Sequence, residues 1–233
     1  MFWFYDYWYI VLVMPAVIFS LITSIMVNTT FEKYSKKRSS RGITGAEAAR
    51  RVLDANGLHS VKVERISGKL TDHYDPRSNT IRLSDSVYDN ASTAAIGVAA
   101  HEAGHAVQHA KGYIPIKIRS AIIPVTNFAS RLAIPLILIG LLFEASGMLS
   151  LAYLGVACFG MSAVFQLVTL PTEFNASRRA MDALNSYGIL AKDELYGARR
   201  VLTAAAMTYV AALAVSLMQL LRLALIVGGR RRD

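Results

Sequence analysis

The sequence contains a single cysteine, Cys158, which lies within an apolar stretch. An intrachain disulfide needs two cysteines and a thiolate metal cluster needs several, so both are excluded. Acidic residues are sparse, with 16 Asp and Glu against 25 Lys and Arg, and the formal net charge is +9. No nucleic-acid-binding motif accompanies this basic excess, and the basic residues crowd beside apolar segments. We therefore expect a lipid bilayer with anionic headgroups as a partner, and no nucleic acid.

Charged residues are almost absent from four long segments. Residues 7–31, 147–170 and 201–221 contain none, and residues 120–143 contain only Arg131. Each segment reaches the roughly 20 residues that span the hydrocarbon core of a bilayer. Hydrophobic residues make up 54% of the chain, which is more than an ordinary soluble domain contains. These features predict a mainly α membrane protein, and the alternative for each segment is a buried core helix.

The N-terminus lacks the basic start of a cleavable signal peptide, so we expect residues 7–31 to remain as a transmembrane anchor. The basic run FEKYSKKRSSR follows and places the next segment in the cytoplasm. The connection EASG is so short that residues 120–170 must form an antiparallel hairpin, which returns the chain to the same side. The predicted cytoplasmic domain therefore combines residues 32–119 and 171–200. Residues 201–227 are predicted to form a C-terminal hydrophobic helix that spans the bilayer, packs along the catalytic domain or lies at the membrane interface.

The cytoplasmic domain begins with the helical segment ITGAEAARRVLDANGL. Thr44 and Glu47 have the spacing of a capping box, and Asn56-Gly57 supplies a stop. Three extended segments follow, VKVERI, KLTDHY and TIRLS, separated by turn residues. We expect them to form a small antiparallel sheet beside the next helix, in an α+β domain.

That next helix is predicted from about Ser92 to Gly112 and contains AAHEAGHAVQHA. His101 and His105 lie four residues apart on one helix face, so both imidazoles can reach one zinc ion. Glu102 points about 100° away from His101 and can hold and deprotonate a water molecule. The alternative is that the histidines are merely hydrogen-bonded on a helix surface.

A catalytic zinc site needs a third ligand from elsewhere in the chain. His109 is excluded because eight residues of helix separate it from His101 by about 12 Å. We expect His109 either to support a ligand or to lie exposed. Glu173 is the best candidate, because it is the only acid in PTEFNASRRA and falls in the first turn of a helix predicted from Pro171 to Gly188. The alternative role for Glu173 is to stabilise the helix dipole.

The segments AAHEAGHAVQHAKGY, LTDHYDPRSNTIRLS and LPTEFNASRRA together resemble the bacterial neutral zinc metallopeptidases of the YugP-like family, over nearly the whole chain. The resemblance implies a multi-pass protein of the bacterial cell membrane with a zincin-like catalytic domain. It also implies one zinc ion held as in gluzincins, by two histidines and a glutamate after the hairpin, here Glu173. Related membrane peptidases continue to an Ala-Asp pair where this chain has Ala176-Ser177. Asn175, Ser177 or Arg178 is therefore the candidate to orient the ligands.

The segment LTDHYDPR places Asp72, His73, Tyr74 and Asp75 near a strand end, where one of them could orient the substrate or stabilise the oxygen of the scissile carbonyl, and His73 is our candidate for the second role. The alternative is a polar turn whose Asp75-Pro76 pair serves the geometry of the chain. We expect an extended substrate to add as a strand to a sheet edge, at residues 69–74 or 80–84.

Together these features predict a membrane-anchored zinc metallopeptidase with Glu102 as general base and its active site in the cytoplasm. Its substrates would be peptides or proteins, membrane proteins included. One alternative is an intramembrane metalloprotease, which Asp85, Asp89 and Lys111 disfavour because they flank the motif closely. The other is a non-catalytic membrane scaffold stabilised by zinc, against which Glu102 is the main argument.

Overall fold

The computed structural model describes residues 7–230 of the chain. The protein is a mainly α membrane protein, as predicted. Within the described residues, four helices are long and apolar enough to cross a membrane. They are α1 (Met14–Ser35, preceded by the π-helical turn Tyr9–Val13), α4 (Ile114–Leu142), α5 (Leu149–Ser186) and α6 (Leu195–Gly229).

The chain divides into two compact units. The membrane unit contains residues 7–23, Ile118–Leu170 and 208–230 of the described chain, and the globular unit contains Ser24–Lys117 and Pro171–Met207. The globular unit holds α2 (Gly45–Ala55), three strands and α3 (Thr93–Ala110) together with the adjoining parts of the long helices.

In the membrane unit, α4 and α5 are joined by the single 3-10 turn Glu144–Ser146, and Gly147 closes the turn with a φ of +78°. Glycine lets these two helices approach closely. A Cβ atom on Gly155 would lie 2.7 Å from the carbonyl oxygen of Ala133. The small buried core of this unit includes Ile137 and Ala152.

Helix α2 confirms the predicted capping box. The hydroxyl of Thr44 accepts from the backbone N–H of Glu47, and the carboxylate of Glu47 accepts from the N–H of Thr44 at 2.9 Å. The helix ends where predicted, because Gly57 has a φ of +73°. Val52 and Leu53 pack into the core of the globular unit, which also takes in the neighbouring sheet and α3.

The sheet corrects one expectation, because it is mixed rather than antiparallel. Its strands are β1 (Lys62–Ile66), β2 (His73–Asp75) and β3 (Thr80–Ser84), in the order β1-β3-β2. Strand β3 pairs antiparallel with β2 but parallel with β1. The residues after β1 do not form a hairpin turn. They carry the chain past β3 to its far edge through two left-handed residues, Gly68 and Leu70.

Helix α5 corrects a second expectation. The predicted helix start at Pro171 is wrong, because α5 runs without interruption from Leu149 to Ser186 with Pro171 inside it. Proline removes one backbone hydrogen bond, and the long helix on both sides tolerates that loss. The helix does end just before Gly188, whose φ is +58°. Glu173 is therefore not at a helix N-terminus, and the dipole role considered for it is excluded.

Candidate metal centre

Three predicted ligands converge on one point in the globular unit. The Nε2 atom of His101 lies 3.3 Å from Oε2 of Glu173, and the Nε2 atom of His105 lies 3.5 Å from the same oxygen. The two imidazole rings are one helical turn apart on α3, with their centroids 4.7 Å from each other. Glu173 is 2% exposed and His105 is 8% exposed. A group of this composition and spacing can hold a metal ion.

The small residues of HEAGH allow α5 to approach α3 closely enough to deliver Glu173. A Cβ atom on Gly104 would lie 2.7 Å from the carbonyl oxygen of Ala176, so this position accepts only glycine without a shift of the helices. Ala103 and Ala106 on either side are also buried. The glycine and alanines of the motif thus form a packing surface.

Gln108 fixes the tautomer of His105. Its amide nitrogen donates to the carbonyl oxygen of Thr172 at 2.8 Å and to Oδ1 of Asn175 at 3.0 Å, so its amide oxygen must face His105. That oxygen lies 3.0 Å from Nδ1 of His105 and can only accept. Nδ1 therefore carries a proton, and Nε2 is the nitrogen that faces Glu173 and is available as the ligand atom. Imidazoles that bind zinc are commonly oriented in this way.

Ser177 plays the corresponding part for His101. Its hydroxyl lies 3.1 Å from Nδ1 of His101, on the opposite side of the ring from Glu173. Both histidines thus have Nδ1 satisfied by a polar neighbour and Nε2 turned towards the shared carboxylate. Two imidazole nitrogens and one carboxylate oxygen are the donor set of a catalytic zinc site, so the residues present fit a zinc ion.

The residues proposed to orient the ligands have different positions. Ser177 contacts a histidine directly, whereas Asn175 reaches the site only through Gln108 and also accepts from Arg179 Nε at 2.8 Å. Arg178 is exposed and lines a groove of about 380 Å³ together with Phe174. Gln108 was missed from the sequence. Its spacing of three residues after His105, in a run of otherwise small apolar residues, is the signal that could have identified it.

Glu102 is 8% exposed and accepts no hydrogen bond from any residue that the structure describes. Its carboxylate is nevertheless close enough to act electrostatically on His105. Burial lowers the pKa of His105, but the hydrogen bond that its ring donates to Glu173 and the negative charges of Glu102 and Glu173 outweigh that effect and raise the pKa. A buried carboxylate on the same helix as both histidines, with no hydrogen-bond donor among the described residues, can hold a water molecule.

The LTDHYDPR segment places the carboxylate of Asp72 close enough to Glu102 for their charges to interact. Asp72 accepts from the N–H of Ser84 at 2.7 Å and from the Ser84 hydroxyl. Burial raises its pKa, the bonds from Ser84 lower it, and the negative charge of Glu102 raises it further. His73 is exposed, and its Nδ1 lies 2.9 Å from the carbonyl oxygen of Thr71.

His109 stays outside the group of three ligands. Its ring packs against Tyr74, with ring centroids 5.5 Å apart. The sheet also decides which strand offers an edge beside α3. Strand β3 is paired on both sides, so the expectation of a free edge at residues 80–84 is wrong. Strand β2 packs on α3 and keeps one edge unpaired by the other two strands.

A membrane protein with a buried His-His-Glu group is the class that this fold and site define. The family described as "putative neutral zinc metallopeptidase" matches residues 9–228, and the chain belongs to this family. A relative from Bacillus subtilis (strain 168), "Putative membrane protease YugP", is 49% identical over 218 residues, which cover 94% of this chain and 96% of the relative. No solved structure matches the chain. The resemblance inferred from the sequence is confirmed.

Proposed function

We propose that the protein is a membrane-anchored zinc peptidase of the gluzincin type. His101, His105 and Glu173 hold one zinc ion, and Glu102 acts as the general base. The convergence of both Nε2 atoms on one carboxylate oxygen carries this proposal. The amide oxygen of Gln108 supports it, because it holds the proton of His105 on Nδ1 and so leaves Nε2 to bind the metal. A zinc ion bound there supplies a Lewis acid, which polarises the peptide carbonyl and makes water a usable nucleophile near neutral pH.

The chain's own residues then move one proton twice. Glu102 takes it from the attacking water as the new C–O bond forms, and returns it to the amide nitrogen as the C–N bond breaks. Gln108 keeps the Nδ1 proton of His105 in place, and the Ser177 hydroxyl orients the ring of His101, so both histidines remain ligands throughout. No covalent bond between enzyme and substrate is needed.

The location of the motif favours this function over the intramembrane alternative. Helix α3, which carries both histidines, is not among the helices of the described chain that are long and apolar enough to cross a membrane. We propose that the active site faces the cytoplasm, since the basic run after α1 follows the positive-inside rule. Labelling of single cysteines at positions 40, 145 and 192 in a Cys158→Ser background tests this, with 145 expected on the opposite side from the other two.

We further propose that an extended substrate pairs with the outer edge of β2. This strand packs on α3, and Asp72, directly before it, lies close enough to Glu102 to interact with its charge. Backbone hydrogen bonds at an edge are largely indifferent to sequence, which suits a peptidase that takes peptide or protein substrates.

The zinc content of the purified full chain and its rate of peptide hydrolysis test the assignment of the ligands and the general base. Glu102→Gln should retain zinc and lose turnover by roughly 10²–10⁴-fold. Alanine at His101, His105 or Glu173 should lower the zinc content, whereas His109→Ala should not. Stoichiometric zinc in Glu173→Ala would refute the ligand set. Zinc-loaded wild type without hydrolysis of any peptide would favour a non-catalytic scaffold.

A further inference from the structure

Helix α4 carries a charged residue near the middle of its apolar stretch. Arg131 is the only charged residue within residues 120–143, and roughly 16–18 Å of helix rise separate it from each end. The part of α4 from Ile118 onwards belongs to the membrane unit. A guanidinium at this depth of a bilayer is costly, and such groups are retained where they pair with another group.

Within residues 7–230, Arg131 forms no hydrogen bond, ion pair or ring contact, and its side chain is exposed. Two other arginines of the membrane unit do have partners. Arg222 lies 5.4 Å from the ring centroid of Tyr9, and Arg230 donates to Glu144 at 2.9 Å. Arg131 therefore differs from these two arginines, because at its position on α4 no described residue pairs with it.

The surface around Arg131 has the character of a helix-docking face. Phe128 and Leu138, which are 68% and 54% exposed, flank it at helical spacing. Pro135, four residues on, has no N–H to donate to the carbonyl of Arg131, so a backbone acceptor lies at the same level. The neighbouring Ser130 hydroxyl is already occupied, 2.9 Å from Ser162 of α5.

A second copy of this chain offers no carboxylate to Arg131 within its apolar segments. The four apolar segments, residues 7–31, 120–143, 147–170 and 201–221, contain no Asp or Glu. A lipid phosphate lies about 15 Å from the centre of a hydrocarbon core about 30 Å thick, which is farther than an arginine side chain extends. A carboxylate on the transmembrane helix of a different protein meets both requirements, depth and charge.

We propose that the α4 face formed by Phe128, Arg131 and Leu138 docks a transmembrane helix of another membrane protein, and that Arg131 pairs with a carboxylate near the middle of that helix. The apolar residues pack on the partner helix, and the ion pair sets its depth and register. This interaction does not depend on peptide hydrolysis at the metal centre.

Synthetic transmembrane peptides provide a defined probe. The full chain, with Cys158→Ser and a fluorescent label at Ala145→Cys, is reconstituted in phosphatidylcholine vesicles with leucine-rich peptides of about 20 residues. The peptides carry one central Asp, Asn or Leu and an acceptor dye. The Asp peptide should associate with the wild type about tenfold more strongly than the Leu peptide, since a polar contact between membrane helices contributes on that scale.

The variants separate the proposal from its competitors. Arg131→Leu should abolish the preference for Asp, whereas Arg222→Leu, which removes a cation already placed against Tyr9, should retain it. Arg131→Glu should transfer the preference to a peptide with a central Lys, which also shows that the variant is folded. Equal association of the Asp and Leu peptides with the wild type would mean that Arg131 reaches only lipid or water, and would overturn the proposal. Persistence of the Asp preference in Arg131→Leu would overturn it as well.

Discussion

The globular unit and the membrane unit are both rich in apolar helices, but their apolar side chains have opposite environments. In the globular unit, Leu53, Ile96 and Leu184 are fully buried. In the membrane unit, Phe128 and Leu142 are 68% and 77% exposed. A core closed by protein can hold polar groups at fixed distances, whereas a surface that faces lipid cannot offer them partners. The comparison explains why the candidate chemistry lies entirely in the globular unit.

Side-chain size distinguishes the helices of the two units better than apolarity does. Helix α3 buries mostly Ala and Gly around its histidines, whereas α4 exposes Ile, Leu and Phe along most of its length. Small side chains let helix backbones meet, and large ones cover surface that lipid will contact.

Loss of the close packing between α3 and α5 in the globular unit should have the largest effect on zinc binding. Gly104→Val should abolish zinc binding, because even a Cβ atom there would lie 2.7 Å from the Ala176 carbonyl oxygen and would push Glu173 away from the histidines. Zinc content and the thermal midpoint measure this. Gly160→Val in the membrane unit is the matched control, since its Cβ would meet only Leu220 methyl groups at 3.9 Å. Full zinc occupancy in Gly104→Val would contradict the packing argument.

A change at the outer edge of strand β2 should lower turnover without lowering the zinc content. His73→Ala should lower kcat by roughly 10²–10³-fold with zinc retained, if His73 stabilises the developing charge on the carbonyl oxygen. His59→Ala is the control, because His59 is exposed and pairs with Asp54 on the surface. Unchanged kcat in His73→Ala removes this residue from the mechanism, and loss of zinc would make its role structural.

A buried amide in each unit permits a direct comparison of the two environments. Gln108→Leu should weaken zinc affinity by roughly 10–100-fold, because it removes the acceptor that holds Nδ1 of His105. Gln219→Leu in the membrane unit should leave zinc affinity unchanged, since the amide oxygen of Gln219 is buried and has no hydrogen-bond partner among residues 7–230. Competition with a chelator measures both affinities. Equal losses in the two variants would point to a general effect on folding.

The smallest effect should be a pH dependence confined to the globular unit. The Ser78 hydroxyl, the Arg77 N–H and Arg82 hold the pKa of Asp75 at about 2, below its usual value. A depressed pKa stabilises the fold above the unfolded value of about 3.9, and this contribution disappears as the pH falls towards 2. Asp75→Asn should therefore be less stable than wild type at pH 6, and the difference should shrink between pH 4 and pH 2. A difference that stays constant over that interval would contradict the assignment.

Short-range sequence patterns predicted much of the fold and the two histidines of the candidate metal centre. The spacing of His101 and His105 follows from helical rise, and the capping box and the long apolar helices follow from short-range pattern. Glu173 was also identified correctly as their neighbour, but by a wrong route. It was expected at a helix start, and it lies instead in the interior of the continuous α5.

The sequence by itself determined which residues have helical spacing, which segments are apolar enough for a membrane, and which family the chain resembles. The tertiary structure alone decided that β1 pairs parallel with β3, that Gln108 and Ser177 hold the two histidines, and that Asp72 lies near Glu102. Ser177 is 76 residues from the histidine it contacts, and Gln108 is 64 residues from the carbonyl that orients it. Helical and strand periodicity is a property of neighbouring residues, so it cannot specify such contacts. They depend on how closely two helices pack, which is set here by a glycine and a backbone oxygen on different helices.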